Sequence, residues 1–172
     1  MSQMELRARA HAVKAHAGQR YGDPSYSCHL DQVAELAKPY GEDAVVIAFR
    51  HDAVEDTAVS IAEIESKFGA RVAASVSLLT NDSGFTRKER MAKTHARQDW
   101  VAGPNEIAHL VKAADRLANV PACVKDRKQT VWEGYRSEQA AFRAAAYRPG
   151  LCNPLLSELE TLLLGIGFGS EA

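Results

Sequence analysis

His51-Asp52-Ala53-Val54-Glu55-Asp56 sets one imidazole and three carboxylates within six residues. The segment follows directly on the apolar run Ala44-Val45-Val46-Ile47-Ala48-Phe49. On a helix, His51 and Glu55 stack at i, i+4, and so do Asp52 and Asp56, the two pairs standing about 100° apart. One wedge at the end of a core helix then carries four polar groups, which is costly unless a cation or a partner neutralises it. Imidazole and carboxylate donors together suit manganese, iron, magnesium or zinc. A mononuclear hydrolytic centre needs further ligands from elsewhere, and His29 and Asp115 are the best candidates. Asp115 lies in Lys112-Ala113-Ala114-Asp115-Arg116-Leu117-Ala118-Asn119, on a helix whose Leu110, Val111, Leu117 and Val120 share the buried stripe.

Each of these residues has a bland reading when taken alone. A His-Asp dipeptide is common, and Asp115 could pair with Arg116 or Lys112 on a solvated face. Glu55-Asp56 could be an acidic helix end, although carboxylates there oppose the macrodipole. The ordered combination carries the signal: a His, then His-Asp-x-x-Glu-Asp, then an Asp on a later apolar helix. A metal held by such groups polarises a phosphoryl oxygen and acidifies bound water, while a carboxylate outside the ligand set takes the proton, a role that suits Glu55 if burial raises its pKa. Spacing alone thus supports a phosphoester hydrolase. Arg87, Lys88 and Arg90 form a basic cluster suited to phosphate oxygens.

The elements that must position these groups read as helices almost throughout. Helical spacing predicts segments Met4 to Ala17, Ser27 to Lys38 and Glu42 to Val54. Ser60 and Glu63 match a capping box opening a helix that ends at Gly69. Ala70 to Leu79, Thr86 to Trp100, Glu106 to Val120, Val131 to Tyr147 and Pro154 to Leu164 follow, with turn chemistry at Asn81-Asp82-Ser83-Gly84. Strand-like alternation is hard to find, and no repeat or linker stands out. The expectation is an all-α bundle forming one domain over residues 1–172.

The bulk numbers bound the partners. The chain has 172 residues, 46% hydrophobic and 25% charged, with a net charge of −1. With no broad basic field, duplex nucleic acid is not the expected partner. Three cysteines without a CxxC favour free thiols over a disulfide framework or a cysteine zinc site. No apolar run reaches the roughly 20 residues of a membrane span, and the first residues lack a signal peptide's apolar segment. The expected setting is the cytoplasm, with no membrane partner.

The ordered motifs resemble the HD-type hydrolase domain of the RelA/SpoT alarmone enzymes, especially the small stand-alone alarmone hydrolases. Arg20-Tyr21-Gly22-Asp23-Pro24-Ser25-Tyr26-Ser27-Cys28-His29 is similar to the family stretch ending in Pro-Tyr-x-x-His. His51-Asp52-Ala53-Val54-Glu55-Asp56-Thr57 resembles its central motif, and Val111 to Asn119 its late metal motif. Phe68-Gly69 and Leu79-Thr80-Asn81-Asp82 match its linking helices, so the similarity runs from about residue 8 to residue 120. The resemblance implies that His29, His51, Asp52 and Asp115 ligate one manganese ion, and that Glu55 and Asp56 position and deprotonate the attacking water. It implies substrate contacts from Arg20, Tyr21, Tyr26, Arg87, Lys88 and Asn119, with Arg20 against the guanine base. The implied reaction cuts the 3′-diphosphate from guanosine 3′,5′-bis(diphosphate), giving GDP and pyrophosphate.

Three departures stand out: Tyr21 replaces a usual lysine, Leu30 a proline and Ala113 a leucine. Beyond Val120 the match fades, and Arg136 and Arg143 receive no role. The nearest alternative is another HD phosphohydrolase, acting on nucleoside monophosphates, dNTPs or a phosphorylated cofactor such as NADPH. It would release orthophosphate rather than pyrophosphate. A non-catalytic nucleotide sensor, the alternative from another class, has no need of the Glu55-Asp56 pair.

Overall fold

Ser2 accepts the Glu5 N–H at 3.2 Å and Glu5 takes the Ser2 N–H at 2.7 Å, a reciprocal cap that starts α1 (Gln3–Ala15). The computed structural model describes residues 1–81, 86–98 and 101–165, apart from the side chains of Arg87, Lys88 and Gln98. After α1 come α2 (Tyr26–Ala37), α3 (Glu42–Arg50), the single turn α4 (Ala53–Asp56), α5 (Ile61–Phe68) and α6 (Ala70–Leu79). Then follow α7 (Arg87–Gln98), α8 (Ile107–Lys125), α9 (Gln129–Ala146) and α10 (Asn153–Gly165). No strand occurs among the described residues, where the one bridge joins Arg20 to Ser25. The fold is all-α, as the periodicity predicts. The turn at 82–84 and the helix end at Trp100 lie outside the described residues, as do the side chains of Arg87 and Lys88.

The apolar run places α3 at the centre, with every residue from Ala44 through Arg50 buried. α1, α2, α6 and α8 pack around it, and α9 and α10 pack on α8. Among the described residues no helix is long and apolar enough to cross a membrane.

Three local details depart from the expected pattern. α3 stops at Arg50 rather than Val54. The cause is His51, whose Nδ1 donates to the Ala48 carbonyl at 2.6 Å and competes with the helix ladder for that acceptor. α8 runs past Val120 through Pro121 to Lys125, because a proline removes one N–H and the ladder can resume beyond it. The Asp126 N–H still reaches the Ala122 carbonyl at 2.9 Å, and the apolar stripe continues to the buried Cys123. Ser60 caps α5 through the Glu63 N–H at 3.2 Å, but the Glu63 carboxylate turns to His11 Nε2 at 2.8 Å.

That turn of Glu63 serves a buried cation. Arg50, fully buried, donates to His11 Nδ1 and, at 2.8 Å, to the Ala8 carbonyl, with its guanidinium 5.3 Å from the Phe68 ring centre. Since arginine only donates, His11 accepts at Nδ1 and passes its Nε2–H to Glu63. Burial lowers the Arg50 pKa to about 10, with Glu63 opposing that fall. The chain Arg50–His11–Glu63 pins the end of α3 to α1 and α5, one residue before His51.

Candidate metal centre

Four side chains from three parts of the chain meet at one point: His29 from α2, His51 and Asp52 from the α3–α4 turn, and Asp115 from α8. His51 Nε2 lies 2.8 Å from Asp52 Oδ2 and 3.5 Å from Asp115 Oδ1. His29 Nε2 lies 3.3 Å from Asp115 Oδ1, 3.8 Å from Asp52 Oδ2 and 3.3 Å from His51 Nε2. Ligands adjacent around a cation with bonds of 2.0–2.2 Å stand about 2.8–3.6 Å apart, and every separation here but that of His29 from Asp52 lies in that range. His29, His51 and Asp52 form a group able to hold a metal ion, with Asp115 beside both imidazoles. His51 supports the fit chemically: its Nδ1 is held by the Ala48 carbonyl, so Nε2 is the nitrogen left to face a cation.

The electrostatics tell the same story. Burial alone would lower the His51 pKa, yet the Asp52 and Asp115 carboxylates hold it well above its usual range. Burial would raise Asp115, but hydrogen bonds from His29 and His51 hold it well below. Asp52 moves the same way, its burial outweighed by His51. Two partly buried carboxylates that stay ionised beside two buried imidazoles make a centre that favours positive charge.

Around the four donors stands a supporting layer. Tyr26 Oη donates to Asp52 Oδ2 at 2.5 Å and lies 3.2 Å from Asp56 Oδ2. His16, buried, stacks on the Tyr26 ring at 4.6 Å and bonds Gln19, whose amide donates to the Asp56 carbonyl at 2.7 Å. Asn119 Nδ2 donates to Asp115 Oδ1 at 2.6 Å, and Tyr21 donates to Asn119 Oδ1. Burial, together with the charge of Asp52, raises the Asp56 carboxyl above its ordinary range. Glu55 is exposed, and its two oxygens take the Asn81 side-chain N–H at 2.8 Å and backbone N–H at 3.2 Å.

A cavity of about 210 Å³ opens on this centre, with Asp52, Glu55, Asp56, Asp115 and Asn119 in its wall. Lys112, Arg116 and Tyr135 line the same cavity and were not among the residues singled out as substrate contacts. Lys112 Nζ lies 3.9 Å from Asp115 Oδ2, one helical turn before it, and that i, i+3 spacing was the available signal. Arg116 is buried between the Tyr135 and Phe142 rings, 4.7 and 4.4 Å from their centres, and donates to the Tyr135 carbonyl at 2.6 Å. A larger cavity, about 570 Å³, lies beyond Tyr21 and His29, lined largely by α2, α8 and α10. Tyr21 and Tyr26 thus both reach the centre. Arg20 stays exposed on the loop before α2 and lines neither cavity. Arg136 is exposed against Trp132, and Arg143 pairs with Glu160 at 2.8 Å, so neither lines the centre's cavity.

The relatives fit this geometry. No family profile matches the chain. A Danio rerio protein named guanosine-3′,5′-bis(diphosphate) 3′-pyrophosphohydrolase MESH1 is 34% identical over 137 residues, spanning 74% of this chain and 71% of its own. A Synechocystis protein named a probable guanosine-3′,5′-bis(diphosphate) 3′-pyrophosphohydrolase is 38% identical over 121 residues, 66% of this chain but 16% of its own length. A solved structure, described as a metazoan ortholog of SpoT that hydrolyzes ppGpp, superposes with a TM-score of 0.74 over 96% of this chain and 97% of its own. At 22% identity that likeness shows a shared fold. The chain belongs to the HD-type guanosine-3′,5′-bis(diphosphate) 3′-pyrophosphohydrolase family that includes the MESH1 proteins.

Proposed function

We propose that this protein removes the 3′-diphosphate of guanosine 3′,5′-bis(diphosphate), releasing GDP and pyrophosphate and so degrading the alarmone of the stringent response. The observation that carries the reading is the placement of two further carboxylates, Glu55 and Asp56, in the same cavity as His29, Asp52 and Asp115. A sensor has no use for that pair.

His29, His51, Asp52 and Asp115 would hold one divalent cation, which we take to be manganese. When bound, such an ion supplies Lewis-acid polarisation of a phosphoryl oxygen and a more acidic water. The chain's own groups do the rest. Asp56, linked to Asp52 through Tyr26, receives the water's proton, and Glu55, held at both oxygens by Asn81, orients that water. Lys112 and Arg116 offset the diphosphate charge, with Arg87 and Lys88 of α7 as further partners for it. The P–O bond to the ribose 3′ oxygen breaks, that oxygen gains a proton, and the water oxygen stays with pyrophosphate. We assign the nucleoside to the larger cavity beside Tyr21, with Arg20 as the neighbouring base contact. The three free cysteines suit a reducing cytoplasm.

The test is product analysis with manganese and guanosine 3′,5′-bis(diphosphate). Equal amounts of GDP and pyrophosphate support the reading, and orthophosphate as the released product contradicts it.

A further inference from the structure

The two imidazoles of the centre are oriented by different means. His51 is fixed through its outer nitrogen by the Ala48 carbonyl. His29 is buried, and its outer nitrogen, Nδ1, has no hydrogen-bond partner among the described residues. What sets the plane of the His29 ring is aromatic packing. Tyr21 stacks on it with ring centres 4.5 Å apart and planes at 21°, and Tyr26 meets it edge-on at 5.6 Å.

Tyr21 also reaches the opposite ligand. Its hydroxyl donates to Asn119 Oδ1, and Asn119 Nδ2 donates to Asp115 Oδ1 at 2.6 Å. The direction of both bonds follows from chemistry. An ionised Asp115 only accepts, so Asn119 must present its NH₂ there and its oxygen to Tyr21, and the phenol must be the donor. The loop carrying Tyr21 is itself tied down: the Tyr21 N–H bonds the Pro24 carbonyl at 3.0 Å, and Arg20 bridges to Ser25. The ring therefore stands between the two cavities with one face on a ligand and its hydroxyl spent on an orienting chain.

We propose that Tyr21 is a positioning residue for the cation: its ring fixes the plane of His29, and its hydroxyl, acting through Asn119, fixes the carboxylate of Asp115. This inference rests on the metal-centre reading above. It gives the tyrosine a task at the centre itself, distinct from stacking on a base.

The test is Mn²⁺ titration by calorimetry on the full chain, comparing the parent with Tyr21→Phe, Asn119→Ala and the double variant. Tyr21→Phe keeps the ring and removes only the hydroxyl, and its unfolding in urea provides the check that the fold is intact. Loss of an outer partner of a metal ligand weakens binding by about tenfold or more, and that is the expected effect of Asn119→Ala; Tyr21→Phe, one bond further out, should weaken binding measurably and by no more than that. The double variant should bind no more weakly than Asn119→Ala alone, because the hydroxyl acts only through that amide. Hydrolysis lost in Tyr21→Phe should return as Mn²⁺ is raised, with KM for the nucleotide unchanged. A Tyr21→Phe variant that binds Mn²⁺ as the parent does, or additive losses in the double variant, overturns the proposal alone. A parent that binds no Mn²⁺ overturns the metal-centre reading and this inference with it.

Discussion

His51 Nδ1 donates to the Ala48 carbonyl at 2.6 Å, and that bond both interrupts α3 and sets the tautomer that turns Nε2 toward Asp52 and Asp115. An amide in place of the imidazole cannot hold the carbonyl and the cation at once. Saturating Mn²⁺ at about 100 times its Kd stabilises the parent by about 2.7 kcal/mol, or about 5–10 °C in Tm for a chain of this size. His51→Gln should show little of that rise, and a chelator should return the parent to its metal-free Tm. An equal rise in the variant would place the cation elsewhere.

Gly22 holds the Tyr21 loop against the end of α8. Its φ of +65° suits glycine, and a Cβ there would sit 2.6 Å from Asp126 Oδ2. Gly22→Ala should therefore strain the loop backbone and push the Asp126 carboxylate aside, weakening Mn²⁺ binding at a cost in stability of about 1–3 kcal/mol. Calorimetric titration and urea unfolding read the two effects. Unchanged Mn²⁺ affinity in this variant would separate the loop from the centre.

Arg50 is a fully buried cation whose partners are His11 and the Ala8 carbonyl. Arg50→Ala leaves those acceptors unpaired and a cavity below Phe68, so urea unfolding should show a loss of about 3 kcal/mol or more. Because the residue adjoins His51, Mn²⁺ affinity should fall as well. A variant as stable as the parent would mean that the Arg50–His11–Glu63 chain contributes nothing net.

His109 gives the fold an acid limit. It is fully buried on α8, neither ring nitrogen has a hydrogen-bond partner among the described residues, and burial, with Arg148 adding to it, lowers its pKa from 6.5 to about 4. Between those values the unfolded chain takes up a proton that the folded chain refuses, so stability falls as pH drops through that window. The contribution lost by pH 4 is on the order of 3 kcal/mol. His109→Leu removes the group, so the stability difference between variant and parent should grow in the variant's favour from pH 7 to pH 4.5. A difference independent of pH would exclude His109 as the source.

The four converging donors were legible in the sequence because their types are chemically narrow and their helices strongly periodic. His51 and Asp52 close an apolar run, and Asp115 interrupts one. Their support was not legible. Tyr21 meets Asn119 across 98 positions of chain, and Asn81 meets Glu55 across 26; such pairings depend on how α8 and α6 dock, which no local spacing encodes. α3 ends at Arg50, short of the expected Val54, for a related reason. Residue propensities through Val54 favour a helix, and only the His51 side chain's hold on Ala48 breaks it. α8 departs in the other direction, running past Val120 because tertiary packing along it outweighs the N–H that Pro121 lacks.

The central claim is that Glu55 and Asp56 activate water beside a cation that other residues hold. The most direct measurement compares the parent with a Glu55→Ala, Asp56→Ala variant, scoring Mn²⁺ binding and hydrolysis of guanosine 3′,5′-bis(diphosphate) on the same preparations. The account predicts that the variant still binds one Mn²⁺ while release of GDP and pyrophosphate falls by at least about 10²-fold, the scale of losing a positioned general base. A metal-loaded parent that leaves the nucleotide intact, or a double variant that hydrolyses it at the parent's rate, would contradict it.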